Sequence, residues 1–164
     1  WSASMNSNCD ENAQGSPFAV YQYGVFMAEV TVDTKTGKAV VDKMTVVADI
    51  GKINNRLVVD GQIYGGVAQG IGLALSEDFE DLNKHTNMAA CGIPYPRDIP
   101  DAIDIIYVET PREHGPFGAG GVGEMPLTSP HAATINAIYN ATGVRVRNLP
   151  ALPEKVLDGL KALT

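Results

Sequence analysis

A chain of 164 residues with 45% hydrophobic side chains can bury a core and does not have the composition of a disordered segment. Its formal net charge of −7 argues against nucleic acid or an anionic membrane as a partner, and no apolar run approaches the length of a membrane span. Two cysteines, Cys9 and Cys91, are too few for a disulfide framework or a metal–cysteine motif, which with no visible signal peptide suggests a reducing compartment.

Residues 1–20 form a poorly patterned stretch, small and polar, and Trp1 in place of an initiator methionine reads as a piece or processed product of something larger. Residues 18–32 are rich in β-branched and aromatic side chains. Towards their end Phe26, Ala28, Val30 and Val32 alternate with Met27, Glu29, Thr31 and Asp33. The turn at 33–37 and a second apolar run at 38–48 complete a predicted β-hairpin. Residues 57–76 read as a buried helix carrying Gly61, Gly65, Gly66, Gly70 and Gly72. Each glycine costs about 1 kcal/mol there relative to alanine, so close packing or a ligand must compensate. The acidic run at 77–81 is expected as a solvated helix end, and 83–100, with three prolines, as a loop. Residues 101–109 read as a strand. Ser129 followed by Pro130 predicts a capped helix to about Ala141, residues 144–146 a short strand, and 153–163 an amphipathic helix with Val156, Leu157 and Leu160 on one face. The class is α+β.

The strongest single feature is Gly-Pro-Phe-Gly-Ala-Gly-Gly-Val-Gly-Glu over residues 115–124: five glycines and then one carboxylate, Glu124. Glycine lets a backbone approach a ligand closely, and a carboxylate at the end of such a collar can act as a base on what the collar holds. Glu124 lies too far before Ser129 to cap its helix directly, which favours chemistry over a helix-dipole role. Gly118, Gly120 and Gly123 match a dinucleotide fingerprint in letters. The helix begins several residues too late, however, and no acidic residue follows about 20 positions on. Gln62 is, on pattern alone, an ordinary surface glutamine. Glu154 and Asp158 stand at i and i+4 of the last helix, where they could share a hard cation, although a solvated face is the commoner outcome.

Three motifs in order carry a resemblance: Gly-Gln-Ile-Tyr-Gly-Gly-Val-Ala-Gln-Gly-Ile-Gly at 61–72, Gly-Ala-Gly-Gly-Val-Gly-Glu at 118–124 and Pro-Ala-Leu-Pro-Glu-Lys at 150–155. From about Tyr21 onward the chain resembles the C-terminal end of the molybdenum hydroxylases, in the bacterial aldehyde oxidoreductase branch rather than the xanthine dehydrogenase branch. The resemblance implies that residues 21–164 form the C-terminal part of a molybdopterin-binding domain. The cofactor would be molybdopterin cytosine dinucleotide with molybdenum, bound by its dithiolene and by no protein ligand. Glu124 would be the catalytic base in oxidation of an aldehyde to a carboxylic acid, with water as oxygen source and hydride transfer to the molybdenum centre. Gln62 would hydrogen-bond near the metal, and backbone groups of Gly120, Gly121, Val122 and Gly123 would line the cofactor. Asn54 and Asn55 would reach the dinucleotide phosphates, and Glu154 with Asp158 would match a magnesium position.

The implied partners are the remaining domains or subunits of the enzyme, with [2Fe-2S] clusters in domains absent here. A small aldehyde substrate, a homodimer of the whole enzyme and a cytoplasmic or periplasmic setting are also expected. The chain departs from the family pattern in lacking the cluster-binding cysteines. Two alternatives remain beside this reading: a purine or N-heterocycle hydroxylase of the same family, and a non-catalytic assembly module in which Glu124 is structural.

Overall fold

The computed structural model describes residues 8–163. Trp1 and the rest of 1–7 lie outside them, and residues 8–22 hold no helix or strand. Three strands follow in the sheet order β1 (Tyr23–Val32), β2 (Ala39–Asp49) and β3 (Ala102–Tyr107), with β1 antiparallel and β3 parallel to β2. Helix α1 (Arg56–Leu75) precedes the long connection to β3; α2 (Pro130–Thr142) and α3 (Pro153–Leu163) complete the α+β fold. No helix among the described residues is long and apolar enough to cross a membrane.

The hairpin forms where the alternation predicts it. The Asp33 carboxylate accepts from the Lys35 N–H at 2.8 Å and the Thr36 hydroxyl at 2.9 Å, closing the turn, and Gly37 takes the left-handed conformation at φ 77°. The strand begins at Tyr23 rather than at residue 18, because pairing with β2 ends at Tyr23 opposite Asp49. Inward-facing Val41, Met44, Val46 and Ala48 pack against Ile63, Val67 and Ile71 of α1. A second cluster joins Ala74, Ile135, Ile138, Ala151 and Val156.

The opposite face of the sheet carries an apolar row. Val25, Val47 and Ile106 stand in register across the three strands, and Val25 and Ile106 are more than half exposed.

Three local expectations are corrected. Ser129 precedes α2 but makes no side-chain cap; its carbonyl accepts from the Ala133 N–H at 3.0 Å, and Pro130 supplies the helical φ of the first turn. Residues 144–146 form no strand and pair with none of the three strands. Val144 instead packs into the space over Gly159 of α3, and its N–H donates to the Thr142 hydroxyl at 3.1 Å. The acidic run at 77–81 is not a solvated helix end. Helix α1 stops at Leu75, the N–H groups of Ser76 and Glu77 both turn back to the Gly72 carbonyl, and half-buried Glu77 folds over Gly72, where burial raises its carboxyl pKa.

Candidate active site

The glycine collar is an extension of the sheet's end. Beyond β2, Gly51 pairs with Ala119, the Gly120 N–H donates to the Ile50 carbonyl at 2.7 Å, and the Lys52 N–H donates to the Gly118 carbonyl at 2.9 Å. Side chains would block this approach: a β-carbon on Gly120 would stand 2.7 Å from the Ile50 oxygen, and one on Gly51 would stand 2.5 Å from the Gly118 oxygen. Gly118 lies at φ 80°, in the region that favours glycine.

One residue that sequence pattern did not single out organises this region. Arg112 donates to the carbonyls of Tyr21 at 3.1 Å, Thr110 at 3.1 Å and Asp49 at 2.8 Å, and pairs with the Asp49 carboxylate at 3.0 Å. Burial pushes the Asp49 carboxyl up, but hydrogen bonds from Thr110 and Gly51 and the Arg112 charge outweigh it and hold the pKa below the usual value. Every partner of Arg112 is distant in sequence or a backbone carbonyl, so no spacing rule reveals it.

Helix α1 meets the collar from the other side. Its N-cap is Asn55, whose Oδ1 accepts from the Val58 N–H at 3.3 Å, while Asn54 is exposed beside it. Two turns on, the Gln62 amide donates to the Gly123 carbonyl at 2.5 Å, so the structure joins two predicted site residues 61 positions apart. The helix glycines then divide into two groups. Gly66 and Gly70 lie against Pro126 and Pro130, letting the 3-10 turn Met125–Leu127 and the start of α2 sit directly on the helix. Gly61 and Gly65, like Gly123, have nothing within 4 Å of where a β-carbon would stand, and Leu57 beside them is 82% exposed. Packing within the chain thus accounts for Gly66, Gly70 and, against Pro94 and Glu77, Gly72, while Gly61 and Gly65 face outward.

At the rim, the backbone N–H groups of Gly121, Val122, Gly123 and Glu124 have no hydrogen-bond acceptor among the described residues. The exposed Glu124 side chain likewise has neither hydrogen bond nor ion pair there. Four successive donors free among the described residues, a carboxylate and an open glycine-lined helix face suit a polar, oxygen-rich group brought from outside the chain, and the phosphate and carbonyl oxygens of a pterin cofactor are of that kind.

Glu154 and Asp158 do not belong to this site. Their helix starts at Pro153, which packs on Gly37 at the hairpin turn, the other end of β2 from Asp49 and about 30 Å away at the usual rise per strand residue. Both side chains are exposed, Asp158 pairs with Lys161 at 3.2 Å, and no group of three or more His, Cys, Asp or Glu able to hold a metal occurs among the described residues.

The chain belongs to the molybdopterin cofactor-binding domain family, whose sequence profile matches residues 1–100. It is 63% identical over 163 residues to the aldehyde oxidoreductase of Megalodesulfovibrio gigas, covering 99% of this chain and 18% of that enzyme. The solved aldehyde oxidoreductase from Desulfovibrio gigas superposes with a TM-score of 0.95 at 63% identity, over 98% of this chain and 18% of that one. A more distant relative, the probable hypoxanthine oxidase XdhD of Escherichia coli K12, is 32% identical over 152 residues, 90% of this chain and 16% of its own length. The chain thus spans a fifth or less of the length of the relatives it matches.

Proposed function

We propose that this chain is the portion of a molybdenum-dependent aldehyde oxidoreductase that carries the catalytic base, Glu124. The observation that carries the reading is the rim of the collar: an exposed carboxylate, unpaired among the described residues, directly after backbone donors that none of those residues satisfies. The molybdenum cofactor, as molybdopterin cytosine dinucleotide, supplies the two-electron oxidation of an aldehyde to a carboxylic acid with water as oxygen source.

The chain's own residues do the rest. Glu124 takes the proton released as water's oxygen is transferred. The N–H groups of Gly121, Val122 and Gly123, free among the described residues, would hold oxygen atoms of the bound group. Gln62 anchors the Gly123 carbonyl and so couples the collar to α1; its second amide hydrogen and its carbonyl remain for the bound group. Asn54 and the amide nitrogen of Asn55, at the helix start, would be available to hold the dinucleotide, since the Asn55 oxygen is already used as a cap. The remaining domains of the enzyme, including those with [2Fe-2S] clusters, would complete the pocket and carry electrons away. Magnesium at Glu154 and Asp158 would need ligands from those domains or from water.

Glu124→Gln in the full-length enzyme should keep molybdenum and pterin content unchanged and lower turnover by about a hundredfold or more. Full activity of that variant would remove Glu124 from the chemistry and favour the assembly-module reading. The XdhD relative supports a second substrate class, N-heterocycles such as purines. Turnover of purines in preference to aldehydes by the whole enzyme would select it.

A further inference from the structure

We infer that Arg112 is the positioning residue of the collar, setting, with Asp49 as its counter-charge, where Glu124 stands relative to α1. The inference rests on the reading of Glu124 as the base.

The Arg112 stem lies in a slot that glycines leave open. Its Cγ would be 3.0 Å from a β-carbon on Gly51 and 3.7 Å from one on Gly120, and its Cβ would be 3.1 Å from one on Gly115. Its head joins three separate segments: Tyr21 before β1, Asp49 at the end of β2, and Thr110 in its own loop. The guanidinium also lies 5.5 Å from the centre of the Tyr23 ring. Only a planar fork with five donors reaches all these acceptors at once; a lysine ammonium is a point charge and cannot. The backbone of Arg112 closes the loop as well, donating to the Gly118 carbonyl at 2.9 Å and accepting from the Gly115 N–H at 3.2 Å.

These contacts act on the collar rather than on the sheet. The β1–β2 ladder already holds Tyr23 opposite Asp49, and β3 already ends at Tyr107. What Arg112 adds is the fixed course of residues 108–120, and Glu124 follows four residues later. Its side chain is 12% exposed and that of Asp49 16%, so the pair is screened little by salt.

The test uses the full-length enzyme carrying Arg112→Lys, with Asp49→Asn as a second variant that keeps the side-chain volume. Arg112→Lys should retain molybdenum and lower kcat by about ten- to a hundredfold, the effect of a displacement near 1 Å, while KM changes little. Hydrogen exchange in 113–124 should accelerate, with β2 and α1 unchanged. In Arg112→Ala, millimolar guanidinium should restore part of the lost turnover, entering by the cleft of about 210 Å³ lined by Tyr21, Tyr23, Glu113 and His114. Wild-type exchange in 113–124 would overturn the inference. So would loss of molybdenum together with protection lost throughout the chain in both variants, which would make the pair part of general stability. If Glu124→Gln keeps full activity, the base reading fails, and the exchange data still decide whether Arg112 holds the collar.

Discussion

Gly65 and Gly66 are neighbours within α1, yet alanine should affect the chain differently at the two positions. Both substitutions gain the same helix-propensity term, about 1 kcal/mol in favour of alanine. At Gly65 the new methyl meets nothing within 4 Å, so that gain stands. At Gly66 it would run into the Pro126 ring and stand 2.8 Å from the Pro126 carbonyl carbon and 3.0 Å from the Leu127 nitrogen. An unstrained contact between carbons lies at about 3.5–4.0 Å. The obstacle is a buried proline and the backbone of a turn, which cannot yield by changing rotamer. Overpacking of this kind costs about 1–3 kcal/mol. The propensity terms cancel between the variants, so they should differ by that amount, which corresponds to about 2–12 °C in Tm for a chain of this size. Thermal unfolding of the two variants side by side measures it. Equal midpoints, or a more stable Gly66→Ala, would refute the close seating of α1 on Pro126.

Two further outcomes concern pH. Glu77 has its pKa raised by burial, so the folded state holds that proton more tightly than the unfolded one and loses stability as pH rises through the folded pKa. Its place just beyond the C-terminus of α1 adds to the penalty on the charged form. Glu77→Gln should therefore raise the urea midpoint at neutral pH and leave it unchanged below about pH 4, the usual carboxylate range; a lowered neutral midpoint would contradict this. Tyr107 has its pKa raised by burial and by its 2.6 Å hydrogen bond to Asp60. Above about pH 10 the unfolded chain releases that proton while the folded chain retains it, so stability falls as pH rises. Tyr107→Phe should be less stable near neutrality and show a flatter alkaline decline, read from urea unfolding at both ends; an unchanged alkaline slope would count against it.

Much of the architecture was legible because burial imprints a period on sequence. The alternation from Phe26 to Val32 marked the inward face of β1, and the spacing of Val156 and Leu160 marked α3. Local signals were less secure where long-range packing decides. Val144 and Val146 have strand propensity, but Val144 is taken up by packing over Gly159, and Ser129 has the chemistry of a cap without its geometry. The acidic letters at 77–81 gave no sign that Glu77 would fold back over Gly72. At the candidate site, the glycine pattern pointed to the collar's close backbone approach, which Gly51 and Gly120 make possible. Gln62 looked like a surface amide because its partner, the Gly123 carbonyl, lies 61 positions away. Arg112 was hidden for the same reason: its role is created by Tyr21, Asp49 and Thr110, and its own neighbours in sequence are prolines, glycines and charges.

The two ladders of β2 also imply an order of assembly. Its antiparallel partner is joined by a turn closed between Asp33 and Lys38, whereas its parallel partner arrives only after α1 and the long loop. Loop-closure entropy grows with the length enclosed, and parallel pairing across a crossover is intrinsically slower than forming a hairpin. The collar leans on the ends of both β2 and β3, since Gly120 bonds to Ile50 and the Thr110 N–H bonds to the Asp49 carboxylate. It can take shape only once the slower ladder has closed. A chain stalled at the hairpin would present an apolar half-sheet and no collar.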